Sequence, residues 1–284
     1  MNARGALTTL LVAVAVVASS ITARADQPAT GDWIIRERAD STLIDLRFDY
    51  GEHNGFESHR VAAADVGLPR NELDSPGEHV TFTIVRDAGR LACEGWAGHG
   101  HGSGTFTFIA NASYAVELGK RGITLGNPDR DILEAAIADL SFAYIDTIRG
   151  FYPHAEFLKL IELRAVGVDP DYVRTMEARF PGVDLQTMVS LRAVGVTDAY
   201  LDELKHLGFT ALRAQEAVEL RATGVNERYV KDLASVGYTD ISAADLRQMR
   251  AVGVDSDFIR RAEAHGFHNL SVQRLIQARA LGVF

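Results

Sequence analysis

The sequence predicts an α+β protein, in which a small antiparallel β-sheet or sandwich precedes a series of α-helical hairpins. Two observations predict this class: residues of alternating polarity in the first half and a motif of fixed period in the second half. A third observation, an apolar stretch at the N-terminus, separates the first residues from both units. The 284 residues are enough for two units with cores of their own. We therefore divide the chain into residues 1–25, 26–125 and 126–284.

The N-terminal stretch has the features of a secretory signal peptide. Arg4 gives a positive n-region, an apolar region covers about residues 7–18, and Ala23-Arg24-Ala25 is a small-residue cleavage site. The apolar run is shorter than the roughly 20 residues that span a bilayer. We expect cleavage after Ala25 and a periplasmic or secreted protein without an integral membrane span. An uncleaved signal that anchors the protein is the alternative.

Residues 26–125 show the period of two that is typical of β-strands. Apolar residues alternate with charged residues over 44–50 and with threonines over 80–84. Asp87-Ala88-Gly89 predicts a short turn, so that residues 80–96 should form a hairpin. Further strands are expected at 33–38, 57–62 and 104–109, with a closing helix at about 112–119.

Residues 126–284 contain a repeat. The segment LRAVGV at Leu163–Val168 recurs, with small changes, after 28, 29, 29 and 29 residues, which is typical of stacked-repeat proteins. Its glycine suits the end of a helix, where φ is positive, and a good N-cap follows two residues later. Each repeat is therefore predicted to be a hairpin of two helices of roughly ten residues, too short to be stable alone. The hairpins would stack in a solenoid-like array behind a capping helix at about 128–149.

The glycine-rich stretch Gly98–Gly104 is the strongest candidate for a metal site. His99 and His101 project to one side if the stretch is a strand, and they could share a metal ion with Glu94 as a third ligand. The spacing is not diagnostic of a metal site, and an exposed loop whose histidines bind nothing is the alternative. We expect no cofactor.

The repeats also contain a periodic row of arginines. In a regular stack these guanidinium groups would lie along one surface, where they could bind carboxylates of a partner. The other interpretation is local, since each arginine lies in the last turn of a helix, where the macrodipole or an acid of the next repeat stabilises it. The row comprises Arg164, Arg192, Arg221, Arg250 and Arg279.

The sequence argues against several classes of function. It contains no H-E-x-x-H, G-x-S-x-G or G-x-x-x-x-G-K-[ST] motif, and the formal net charge of −9 argues against nucleic acid. A single cysteine, Cys93, excludes an internal disulfide and is expected to be buried. We expect a non-enzymatic binding or scaffold protein whose partner is an envelope protein or peptide. Metal or small-ligand binding by the β-rich domain is the alternative.

The repeats resemble a known module. Phrases such as LRAVGVDPDYVRTM and LRAVGVTDAYLDEL resemble the LRAxGVTPEYV arrays at the extracytoplasmic ends of some BlaR/MecR-type membrane metallopeptidases. The segment HVTFTIVRDAGRLACEGWAGHGHGSGTFTF resembles the β-domain that accompanies those arrays. This sequence has neither the transmembrane bundle nor the zinc-binding motif of the peptidases, so proteolytic activity does not carry over. The resemblance implies a free-standing copy of a sensor-type or docking region.

Overall fold

The computed structural model describes residues 29–37, 43–50, 54–68 and 70–283. In these ranges a six-stranded antiparallel sheet precedes most of thirteen α-helices, which confirms the α+β class. The predicted signal peptide, residues 1–25, lies outside the described residues. No helix within the described ranges is both long and apolar enough to span a bilayer.

The sheet has the order β3-β2-β1-β6-β5-β4, and its neighbouring strands are antiparallel. Between β3 and β4 the chain passes from one edge of the sheet to the other through a 3-10 turn at Ala63–Val66 and the short helix α1 (Arg70–Leu73). The hairpin predicted at 80–96 is confirmed as β4 and β5. The strands are β1 Ala29–Glu37, β2 Leu43–Tyr50, β3 Asn54–Ala62, β4 Glu78–Arg86, β5 Gly89–Gly98 and β6 His101–Ala110.

One face of the sheet is buried and the other is open to solvent. Along β1, for example, Trp33 and Ile35 are buried while Ile34 and Arg36 are exposed, as the period of two requires. Helix α3 contacts β5 and β6, so the helical region continues directly from the sheet. We call the solvent-exposed side the open face.

The remaining helices follow one another in pairs of the predicted length, and we call two helices that are joined by a turn of the LRAVGV type a hairpin. Asp169, Thr197, Asn226 and Asp255 accept the N–H of the residue three positions later, as expected of N-caps. The first helices of successive hairpins contact each other in the pairs α5 with α7, α7 with α9, α9 with α11 and α11 with α13. The helices are α2 Tyr114–Lys120, α3 Pro128–Ile137, α4 Phe142–Phe151, α5 Phe157–Ala165, α6 Pro170–Arg179, α7 Leu185–Ala193, α8 Asp198–His206, α9 Ala214–Ala222, α10 Glu227–Ala234, α11 Ala243–Val252, α12 Ser256–Ala264 and α13 Val272–Ala280.

The single capping helix predicted for 128–149 is wrong, because the chain turns at Asp139. This residue has a φ of 55°, and the N–H of Leu140 donates to the carbonyl of Ala135 at 2.9 Å. The equivalent bond after α5 joins Val168 to Leu163 at 2.9 Å. Helices α3 and α4 are therefore a further copy of the repeat, in which an aspartate takes the place of the glycine that usually marks a helix end.

Candidate functional site

A buried tyrosine connects each hairpin to the next one. The hydroxyl of Tyr172, on α6, donates to the carbonyl of Val196, which follows α7, at 2.9 Å. Val196 is the residue after the positive-φ glycine of its repeat, and an equivalent bond forms in the repeats that have a tyrosine at the position of Tyr172. The same bond joins Tyr144 to Val168 at 2.9 Å, Tyr200 to Val225 at 2.9 Å and Tyr229 to Val254 at 2.7 Å.

The predicted row of arginines lies against these rings. Arg192 places its guanidinium carbon 5.0 Å from the centre of the Tyr172 ring, within the range of a cation–π contact, and its Nε donates to the carbonyl of Gly167 at 2.9 Å. Equivalent ring contacts are Arg164 with Tyr144 at 5.2 Å, Arg221 with Tyr200 at 4.8 Å, Arg250 with Tyr229 at 4.8 Å and Arg279 with Phe258 at 5.2 Å. We call these tyrosines, Phe258 and their arginines the inter-hairpin ladder.

The ladder tyrosines stay protonated near neutral pH. Burial raises the pKa of Tyr172, Tyr200 and Tyr229 to about 12, although the arginine over each ring acts in the opposite direction. Each hydroxyl is therefore a stable hydrogen-bond donor. The arginine row thus takes part in contacts within the chain, and its use by a partner remains a prediction.

Asp139 joins the sheet to the start of the ladder. Its carboxylate contacts Nη2 of Arg164 at 2.8 Å and Nε of Arg86, on β4, at 3.0 Å. The Arg86 contact is an ion pair without a well-aligned hydrogen bond. Nearby, the carboxylate of Asp87 accepts the N–H of Phe142 at 2.8 Å. These contacts fix the beginning of the helical region against β4.

The structure does not bring the three predicted metal ligands together. The Glu94 carboxylate is hydrogen-bonded to Nε2 of His79, with 3.1 Å between Oε1 and Nε2. His101 pairs with Gly98, four residues along β5 from Glu94, a separation of roughly 13 Å. Among the described residues, no group of three or more His, Cys, Asp or Glu side chains could hold a metal ion.

The turn between β5 and β6 and close packing explain why residues 98–104 are rich in glycine. His99 and Gly100 have φ values of 53° and 76° and form the two-residue turn between β5 and β6. Gly102 and Gly104 belong to β6. A Cβ on Gly102 would lie 3.0 Å from the indole ring of Trp33, and a Cβ on Gly104 would lie 2.0 Å from a carbonyl oxygen of β5. Gly102 therefore makes room for Trp33, whose Nε1 donates to the carbonyl of Thr105 at 3.1 Å, and Gly104 makes room for the backbone of β5.

Cys93 is not a reactive thiol. It is 3% exposed, as expected from the alternating pattern, and burial raises its pKa to about 12. The thiolate that nucleophilic chemistry needs is therefore scarce at neutral pH.

The open face of the sheet carries an exposed tryptophan beside a groove. Trp96 is 63% exposed; it pairs with Ser103, which pairs in turn with Ile34. The ring of His79 meets the indole edge-on, with ring centres 5.8 Å apart. The groove is shallow and mostly open to solvent, with a volume of about 430 Å³, and we call it the Trp96 groove. Its lining includes Ile34, Arg36, Trp96, His99, His101 and Ser103.

A second hollow lies on the same sheet, next to the Trp96 groove. It has a volume of about 540 Å³. Thr81, Glu94 and Thr105 are paired across three strands, one position along from the row that contains Trp96 on the same face. The threonine hydroxyls make no hydrogen bond to any described residue and are available to a ligand. The lining includes Thr81, Thr83, Glu94, Thr105 and Thr107.

Sequence reasoning missed the Trp96 groove, although one signal was present. In the alternation of β5, Leu91 and Cys93 point inward, so Trp96 falls on the outward side. An outward aromatic residue with a second exposed apolar residue nearby, here Ile34, is typical of an interaction surface. The ladder hydroxyls had no such signal, because tyrosine and phenylalanine fit a buried helix face equally well.

Comparisons with known protein families, with curated proteins and with solved structures find no match to this chain. The open face and the inter-hairpin ladder are therefore the features from which we infer a function.

Proposed function

We propose that this chain is an exported, non-catalytic binding protein that recognises its ligand in the Trp96 groove. The exposure of Trp96 beside that groove is the observation that carries the proposal. Exposed aromatic residues with polar neighbours are enriched where proteins bind other molecules, because the ring offers apolar area at a small cost in conformational entropy. Export rests on the predicted signal peptide.

The helical repeats, in this proposal, are a solenoid-like support. A tyrosine hydroxyl bond and an arginine–ring contact occur together at four positions along the helical region, and the ring contact recurs alone at Phe258. Recurring contacts of this kind favour a regular stack. The groove itself lies on paired strands, which position side chains more precisely than loops do.

The ladder makes the arginine row a weaker candidate for docking. Arg192 and Arg221 use Nε and one face of the guanidinium within the chain. A protein or peptide partner on the array remains a prediction. The resemblance to the extracytoplasmic ends of membrane peptidases supports a sensing or docking role and implies no activity.

Fluorescence quenching tests the proposal. The chain has two tryptophans, and because Trp33 is fully buried, quenching by acrylamide reports mainly on Trp96. We expect one of three probe classes to protect Trp96 in a saturable way: soluble oligosaccharides, a pool of short peptides, or dispersed phospholipid. Trp96→Ala should abolish binding of that probe, measured by calorimetry, while circular dichroism shows an intact fold. Failure of all three classes to protect Trp96 in folded protein would refute the proposal.

A further inference from the structure

We infer that the Trp96 groove binds an acidic glycan, that is, an oligosaccharide that carries carboxylate groups. This inference rests on the proposed function and names the ligand of the same site. Three features of the open face support it: the position of the groove in the sheet, the ring and hydroxyl groups that line it, and its local charge.

The groove lies over the interior of the sheet. Its lining residues come mainly from β1, β6 and β5, each of which is paired with a strand on both sides. A peptide that binds as an added strand needs a sheet edge with unpaired N–H and C=O groups. Interior strands offer only side chains. Recognition by side chains alone favours a ligand with ring faces and hydroxyl groups over an extended peptide.

The lining matches the two kinds of surface that a sugar presents. The C–H face of a pyranose ring is apolar and can lie on the exposed indole of Trp96. Sugar hydroxyls can exchange hydrogen bonds with Ser103 and with the threonines of the second hollow. Successive outward positions on a strand are roughly 7 Å apart. The two hollows together therefore have room for more than one sugar ring.

Arg36 provides the positive charge for a carboxylate, and His101 provides a ring N–H that can donate to it. They are directly opposite each other on β1 and β6, and both are exposed on the open face. His101 is also a diagonal neighbour of Trp96 across β5 and β6, at a Cα separation of roughly 7–8 Å. A ring on Trp96 would thus place a substituent within reach of this pair.

Two acidic groups near the pair, Glu94 and Asp45, are engaged elsewhere. Neither Arg36 nor His101 forms an ion pair with any described residue. Glu94 is bonded to His79, and Asp45, opposite Arg36 on β2, takes part in an interaction of its own. In a chain with a formal net charge of −9, an arginine without an ion pair beside an exposed ring gives charge complementarity to an anionic ligand.

A matched pair of ligands tests the inference on the full chain. Trigalacturonic acid and its methyl ester have the same rings, and only the first carries carboxylates. We expect the acid to bind roughly tenfold more tightly than the ester, because only the acid can accept charge-assisted hydrogen bonds. Protection of Trp96 from acrylamide and isothermal calorimetry give the affinities.

Arg36→Gln should weaken binding of the acid roughly fivefold to tenfold and leave binding of the ester unchanged. Arg90→Gln is the matched control, because Arg90 is exposed on β5, eight residues from Gly98, and forms no ion pair with any described residue. Circular dichroism and thermal unfolding verify that both variants fold.

The outcomes separate the two proposals. If the ester binds as tightly as the acid, or if both arginine variants lose the same affinity, the acidic-glycan inference is overturned while the binding function of the groove stands. If only peptides or only phospholipid protect Trp96, the glycan inference is again overturned. If no class of probe protects Trp96, both proposals fall.

Discussion

A ladder tyrosine stabilises the fold separately through its ring and its hydroxyl. Tyr200 is 3% exposed, with Arg221 over its ring and its hydroxyl bonded to Val225 at 2.9 Å. Phe258, further along the array, keeps the ring contact with Arg279 but has no hydroxyl. The arginine–ring contact therefore occurs at all five ladder positions, whereas the hydroxyl hydrogen bond occurs at only four of them.

Tyr200→Phe should lower the free energy of unfolding by about 1 kcal/mol, because the carbonyl of Val225 loses its partner in a buried place. Tyr200→Leu should cost about 1 kcal/mol more, because the contact with Arg221 disappears as well. Urea denaturation followed by circular dichroism measures both. Equal stability of the phenylalanine variant and the parent would contradict a stabilising role for the hydroxyl.

The tyrosines also predict how stability depends on pH. The pKa of every one of the eight tyrosines is raised from 10.0, and burial is the largest cause each time. The folded state therefore keeps protons above pH 10 that the unfolded state releases. The free energy of unfolding should be unaffected by these groups below pH 10 and should fall as the pH rises from 10 towards 12.

Ultraviolet absorbance of tyrosinate measures this directly. We expect no ionisation step near pH 10 in the folded protein and a joint step at higher pH, where it unfolds. In denaturant the step should return to about pH 10. A tyrosine that ionises near pH 10 while the fold is intact would contradict the prediction.

The packing role of the glycines around Trp33 can be tested beside an exposed control. Gly102→Ala should destabilise the protein by about 1–3 kcal/mol, because the new Cβ would press on the indole of Trp33. His101→Ala, on the neighbouring exposed residue, should change stability by less than about 0.5 kcal/mol. Thermal unfolding compares the two. The opposite ranking would mean that the histidine, and not the glycine, is the structural residue.

At the scale of elements, Asp139 makes the turn between α3 and α4 and also the junction with the sheet. Its φ of 55° lies in the region where Gly167 has 79°. Glycine at this position would adopt the positive φ without strain, but the protein would lose the ion pairs to Arg86 and Arg164. Aspartate tolerates the left-handed conformation better than most residues, which is how it can combine the two roles.

Three substitutions at Asp139 separate these roles. Asp139→Ala loses the ion pairs and leaves a side chain with positive φ, so it should be less stable than Asp139→Gly by about 1 kcal/mol. Asp139→Asn tolerates the conformation without the charge and should lie between the parent and Asp139→Ala. Urea denaturation gives the order. Equal stability of the alanine and glycine variants would show that the positive φ carries no cost.

The sequence could predict elements whose ends carry a chemical signal. Gly195 ends a helix, Thr197 begins the next one, and both are found as predicted. The end of α3 before Asp139 was not predicted, because an aspartate within an apolar pattern is also typical of an exposed position in a continuous helix. The Trp96 groove was missed for a different reason. It depends on the pairing of β1 with β6, which lie about seventy residues apart, and local periodicity does not say which strands are neighbours.

At the scale of the whole molecule, the sheet and the hairpins share one apolar core. Buried side chains form a continuous cluster from Trp33 in the sheet, through Ile145 and Leu191, to Leu275 in the last described helix. Beyond α4, however, most contacts join neighbouring hairpins. In the proposed stack, structure should be lost locally, because each hairpin depends mainly on the two beside it.

Leu220→Ala tests that locality at the middle of the array. Leu220, on α9, is 1% exposed, and its truncation should cost about 2–5 kcal/mol. We expect hydrogen exchange measured by mass spectrometry to accelerate most in α7–α11, less in α13, and least in β5. Leu91→Ala, the matched truncation at a 1% exposed position of β5, should show the reverse gradient. A uniform loss of protection over both regions in either variant would mean that the chain unfolds as one cooperative unit, and the solenoid-like arrangement would then lose its energetic basis.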